Sequence, residues 1–148
     1  NSSSWTMYQI GDSNTSTLTA GGGGSVASSD FDYNATGNSN ILTWLQGSSS
    51  AATGGNFDAA ITGNTNDLNI RCETIGCVNN WDIDGNSNDI DVTQIGTDDK
   101  SITFTLVGDS NNVDIDQTTS ASGVTDTISL VAASTSGTIN LDQCTSGC

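Results

Sequence analysis

The sequence predicts an all-β molecule: a six-rung β-solenoid of strand-turn-strand repeats, with two stacked parallel in-register sheets facing a thin core. Three observations lead there. A tetrad of Gly, Asp or Asn, Ser or Thr, then Asn recurs five times in the 148 residues, at Gly11–Asn14, Gly37–Asn40, Gly63–Asn66, Gly85–Asn88 and Gly108–Asn111, with a degenerate sixth copy at Ser134–Gly137. On both sides of each copy, apolar residues alternate with polar ones, the period of a half-buried strand. Helix formers are scarce, proline is absent, and every acidic residue but Glu73 is aspartate, which suits turns and strand flanks better than helix interiors.

The first rung, about residues 5–20, places Trp5, Met7 and Gln9 before the turn and Ser16, Leu18 and Ala20 after it. The second, 31–46, offers Phe31, Tyr33 and Ala35, then Leu42, Trp44 and Gln46. In the third, 57–72, the same places hold Phe57, Ala59 and Ile61, then Leu68, Ile70 and Cys72. The fourth, 79–94, has Asn79, Trp81 and Ile83, then Ile90, Val92 and Gln94. The fifth, 102–117, has Ile102, Phe104 and Leu106, then Val113, Ile115 and Gln117. The sixth, 128–143, closes with Ile128, Leu130 and Ala132, then Ile139, Leu141 and Gln143. None of these positions is charged, whereas the residues between them include ten aspartates and Arg71.

Alternation with every charge on one side defines an inner and an outer face. A lone strand pair cannot bury its inner face in water, so like columns must stack rung on rung. The tetrad makes the turn, Gly supplying permissive dihedrals and Asn tolerating the left-handed region. Connections of six to ten residues, Gly21–Asp30, Gly47–Asn56, Glu73–Val78, Ile95–Ser101 and Thr118–Thr127, read as arcs on one side, with Gly21–Gly24 the most flexible. No domain boundary interrupts residues 1–148.

Composition narrows function as well. A net charge of -15 repels nucleic acid and anionic membrane surfaces, and no apolar run is long enough to span a bilayer. There is no histidine, the commonest acid–base and metal-ligand side chain. Paired carboxylates such as Asp82 and Asp84 lack a positioned base or cationic stabiliser nearby. The chain is therefore not expected to be an enzyme.

The repeat resembles the curlin repeat of curli, the bacterial functional amyloid, whose pattern runs Q-x-G-x-x-N-x-A-x3-Q. Gln9-Ile10-Gly11 with Asn14 matches its first half. Asn40-x-Leu42-x3-Gln46, Asn88-x-Ile90-x3-Gln94 and Asn111-x-Val113-x3-Gln117 match the second. The first Gln occurs only in rung one, and the alanine position holds a larger aliphatic residue in every rung but the first, which has Ser16. The resemblance runs from Trp5 to Gln143. It implies secreted subunits that stack end to end as cross-β fibres and are nucleated at a cell surface.

Gln46, Gln94, Gln117 and Gln143 occupy one column, where stacked amides form a hydrogen-bonded ladder that fixes register; exposure at the strand ends is the alternative. Four cysteines allow three pairings. The expected ones are local: Cys72–Cys77, with Cys72 in place of a ladder Gln, and Cys144–Cys148 at the C-terminus. Disulfides imply an oxidising location, and a chain opening at Asn1 without Met or an apolar leader is expected to be a secreted, processed form, extracellular or at the cell surface.

Outward aspartates stack on neighbouring rungs, Asp67 over Asp89, Asp91 over Asp114 and Asp116 over Asp142. Two readings of that charge stand: a solvated face that keeps subunits soluble, or an outer face of Asp82, Asp84, Asp89 and Asp91 holding Ca²⁺. No other cofactor is expected.

The function expected is a structural subunit polymerising with itself head to tail, by stacking of the first rung on the last, in a biofilm or adhesion matrix with a cell-surface nucleator. The interface would comprise Met7, Gln9, Ser16 and Leu18 at one end and Leu130, Ile139, Leu141 and Gln143 at the other. The alternative is a capped module that does not polymerise, such as a viral capsid ornament or adhesin tip; rung six loses the signature Gly and Asn, as a cap would.

Overall fold

The computed structural model describes residues 3–20, 27–47, 53–73, 75–97, 99–120, 125–134 and 136–145. They form twelve strands and, among the described residues, no helix. The odd-numbered strands make one sheet: β1 (Ser3–Ile10), β3 (Ala27–Thr36), β5 (Thr53–Thr62), β7 (Ile75–Asp84), β9 (Lys100–Val107) and β11 (Thr127–Ala133), neighbours in that order. The even-numbered ones make the other: β2 (Thr15–Ala20), β4 (Ile41–Gln46), β6 (Asp67–Cys72), β8 (Asp89–Gly96), β10 (Asn112–Thr119) and β12 (Thr138–Thr145). Every neighbouring pair is parallel, so each odd strand with the even strand after it is one rung of a β-solenoid.

The register reproduces the columns of the sequence. Trp5 pairs with Phe31, Phe31 with Phe57, Phe57 with Asn79, Asn79 with Ile102 and Ile102 with Ile128. Between the sheets lies a core running the length of the stack, from Ala20 and Phe31 to Val113 and Ile115. Aromatic rings fill its earlier rungs: Phe31 stacks on Trp44 with centroids 4.2 Å apart, and Trp81 meets Phe57 and Phe104 edge-on. Such pairs add about 0.5–1.5 kcal/mol each beyond the area they bury.

Two expectations about the backbone are corrected. The odd strands start earlier than the apolar pattern does, at Ala27, Thr53, Ile75 and Lys100, so much of the expected connections Gly21–Asp30, Gly47–Asn56, Glu73–Val78 and Ile95–Ser101 is strand. Parallel main-chain pairing needs no apolar side chain, so the ladder runs on through Ser, Gly and Asn. Thr118 and Thr119 likewise belong to β10. The stretch Gly21–Gly24 lies outside the described residues.

The turn residue with left-handed backbone is also not the Asn. It is the preceding Ser or Thr: Ser13, Ser39, Thr65, Ser87 and Ser110, all with φ between 55° and 62°. The tetrad glycines do have positive φ, from 106° at Gly11 to 151° at Gly85. Stacking adds a second constraint. A Cβ on Gly37, Gly63, Gly85 or Gly108 would sit 1.9–2.3 Å from the carbonyl oxygen of the glycine one rung earlier.

Cys72 and Cys77 are disulfide-bonded with Cα atoms 6.5 Å apart, and Cys72 sits between Gln46 and Gln94 in its column. Cys148, the expected partner of Cys144, lies outside the described residues.

Candidate functional site: the two open ends

The freed Asn side chains build the first feature of the ends. Four of the five tetrad Asn side chains turn inward, and each Oδ1 accepts the main-chain N–H of the Asn one rung earlier: Asn14 to Asn40 at 3.1 Å, Asn40 to Asn66 at 2.9 Å, Asn66 to Asn88 at 2.8 Å and Asn88 to Asn111 at 2.8 Å. Asn40, Asn66, Asn88 and Asn111 are buried. A second, exposed row runs the other way. The N–H of Asn38 donates to Asp12 Oδ1, that of Asn64 to Asn38, that of Asn86 to Asn64 and that of Asp109 to Asn86, over 2.6–2.8 Å. Sequence reasoning read the tetrad only as a turn. The strict return of Asn at one register was the available signal, the same that identified the glutamine column.

The glutamine column is a ladder in its last three members. Gln117 Nε2 donates to Gln94 Oε1 at 2.9 Å, and Gln143 Nε2 to Gln117 Oε1 at 2.7 Å. Gln94 and Gln117 are fully buried, so exposure at the strand ends is excluded for them. Gln46 is buried too but is separated from Gln94 by Cys72, and its amide fills the space beside Gly55, where a Cβ would come within 2.0 Å.

At the first end, β1 pairs with β3 and β2 with β4; at the last, β11 pairs with β9 and β12 with β10. Among the described residues nothing pairs with the outer edge of any of these four strands. The expected interface residues all lie on them. Met7, Leu18, Leu130 and Ile139 are half-buried and pack on the core from one side only, and Leu141 and Gln143 are exposed. Gln9 is buried, accepting from the Tyr33 hydroxyl and donating to Ser16 Oγ at 3.2 Å. This polar link closes the first end of the core beside the turn.

Charge is withheld from the same strands. The outward residues of the first rung are Thr6, Tyr8 and Ile10, then Thr15, Thr17 and Thr19. Those of the last are Ser129, Val131 and Ala133, then Thr138, Asn140 and Asp142. Asp142 is their single charge in a chain of net charge -15. Tyr8, Ile10 and Val131 are apolar yet 71%, 79% and 65% exposed.

Rung six has Gly137 where Asn stands elsewhere, so the inner row stops at Asn111. A buried cluster ties this rung down instead. Lys100, the sole lysine, is 1% exposed; its Nζ donates to Thr119 Oγ1 at 2.5 Å, and Thr119 Oγ1 donates to Asp126 Oδ2 at 2.5 Å. Asp126, whose side chain is completely buried, also accepts the Lys100 N–H at 3.1 Å.

The expected cation face is corrected. Asp82 and Asp84 lie on β7 and Asp89 and Asp91 on β8, in opposite sheets, because the turn between them reverses the chain. They do not share a face. The carboxylates that do converge are those of Asp30, Asp32 and Asp58, with oxygens within 4.8 Å of one another and the Asn56 amide donating to Asp30 and Asp58 at 3.1 Å. The stacked pairs Asp67–Asp89, Asp91–Asp114 and Asp116–Asp142 are in register as expected. Loss of hydration raises the Asp67 and Asp91 carboxyls above their ordinary range; Asp89 adds to both shifts, and Asp114, Asp67 and Asp116 add to that of Asp91.

No family model, curated protein or solved structure matches the chain.

Proposed function

We propose that the protein is a structural subunit that polymerises head to tail outside the cell. The observation that carries this reading is the pair of open ends, whose four edge strands carry Asp142 as their single charge and whose core columns run out to those strands with their register intact. An unpaired parallel edge is a template for another chain, and solenoids that stay monomeric cover it. Here Met7 and Leu18 at one end and Leu130 and Ile139 at the other each lack the rung that would bury their second side.

The buried Cys72–Cys77 disulfide supports an oxidising, extracellular setting. The likeness of the tetrad and Gln spacing to the curlin repeat supports a matrix or adhesion fibre started by a surface nucleator. This function is non-catalytic and needs no cofactor. The second reading, a discrete decoration or adhesin module, draws on the missing tetrad Asn of rung six. A cation-dependent variant of assembly draws on the acidic outer faces, which Ca²⁺ would neutralise.

Negative-stain electron microscopy of the purified protein, with and without EDTA, separates these readings. The expected outcome is uniform fibres repeating at six rungs, roughly 29 Å at the strand spacing. Discrete particles at every concentration would select the capped module, and fibres lost only in EDTA would assign the acidic faces to a cation.

A further inference from the structure

Resting on the filament reading, we infer that the joint has a single register, in which β1 of one copy pairs in parallel with β11 of the next and Tyr8 faces Val131 outside the core. The alternation of the strands removes the nearest competitor, since a slip of one residue turns Trp5, Met7 and Leu18 outward. A slip of two keeps the faces but displaces the turns. From rung one to rung five the N–H at the fourth tetrad position meets the Asn Oδ1 of the following rung. Gly137 occupies that position in rung six, and its neighbour Thr138 donates to Asn111 as its counterparts in earlier rungs do. The Asn14 Oδ1 of the arriving copy resumes the row, by accepting the Gly137 N–H, only when turn sits on turn.

That register sets Trp5 on Ile128 and Met7 on Leu130 inside. Outside, it sets Tyr8 on Val131 and Ile10 on Ala133. Within that outer column the large side chains stand only at its two ends, since its other members are Asn34, Ala60, Asp82 and Thr105. An aromatic residue opposite a β-branched one is a favourable cross-strand pair, whereas like charges in the same places oppose pairing. The partner is thus a second copy, and Tyr8 and Val131 are the residues that fix its register. Both project into solvent in the single subunit, so substitution there spares its fold.

Four double variants test the pairing by sedimentation of fibres from soluble protein. Tyr8→Asp with Val131→Asp, and Tyr8→Lys with Val131→Lys, place like charges at the joint. Tyr8→Lys with Val131→Asp, and Tyr8→Asp with Val131→Lys, place opposite charges there. The expected result is that both like-charge variants leave about fivefold more soluble protein than both opposite-charge variants, a gap that narrows in high salt. Circular dichroism verifies that all four fold. Variants that behave alike, or that rank by net charge with the double lysine assembling best, overturn the register while leaving the filament standing. Absence of fibres from the unsubstituted protein overturns the filament itself.

Discussion

At the scale of the residue, the tetrad performs three tasks that its simplicity conceals. Gly provides positive φ and clears the carbonyl stacked against it, Ser or Thr takes the left-handed position, and Asn spends its amide on the neighbouring rung. The sequence made the glycine and the turn legible but put the left-handed residue at the Asn. Propensity alone favours Asn there, and only the register between rungs shows that its side chain is needed elsewhere. Gly63 and Gly11 separate strain from stacking. Both have positive φ, but a Cβ at Gly63 lies 2.0 Å from Gly37 O, whereas one at Gly11 meets nothing nearer than Asn14 Nδ2 at 3.9 Å. Gly63→Ala is expected to lower stability by about 3 kcal/mol or more, and Gly11→Ala by about 1–2 kcal/mol. Urea denaturation of the unassembled protein measures both. In the proposed filament Gly11 would stack on the last turn of the preceding copy, so Gly11→Ala is expected to impair assembly of a subunit that still folds.

At the scale of the element, neighbouring strands carry carboxylates in register along the outside of the even-numbered sheet. Asp91 lies between Asn69 and Asp114, with Asp89 two residues back on its own strand. Folding raises the Asp67 and Asp91 carboxyls, through lost hydration first and neighbouring charge second, so the folded state binds protons more tightly than the unfolded one. The stability this confers is complete below the ordinary carboxylate range and is lost as pH rises through the raised values. Thermal unfolding is therefore expected to occur at a higher temperature near pH 4 for the unsubstituted protein than for Asp91→Asn, relative to each protein at pH 7. At pH 7, Asp91→Asn is expected to add a few tenths to about 1 kcal/mol. A flat difference between the two proteins from pH 4 to pH 7 would contradict this. Strand cores were legible in the sequence because side-chain alternation marks them. Strand ends were not, since main-chain pairing through Ala27–Asp30 or Thr53–Asn56 leaves no apolar trace. The split of Asp82 and Asp84 from Asp89 and Asp91 follows from the two sheets and was implicit in the strand-turn-strand reading.

At the scale of the whole molecule, each rung touches mainly the rungs beside it, so stability is close to a sum of layers and their interfaces. The stacked columns and the two ends could be read from the repeat. The burial of Lys100 could not, because a lone lysine in a polar stretch reads as exposed until Asp126 and Thr119 are seen closing over it. The tetrads recur at 26, 26, 22, 23 and 26 residues, and the connections between rungs absorb the differences while the register stays fixed. Removing one whole period, residues 37–62, joins Thr36 to Gly63 and leaves both ends unaltered. The shortened chain is expected to fold and, where the full chain forms fibres, to form them with an axial repeat shorter by roughly 4.8 Å in cryo-electron microscopy. An unfolded product, or an unchanged repeat, would contradict layer-by-layer construction. Tolerance of differing spacers has a historical consequence too: tandem duplication or loss of a single unit changes the size of such a molecule without redesigning it, so its length is a quantity that a genome can adjust in whole-number steps.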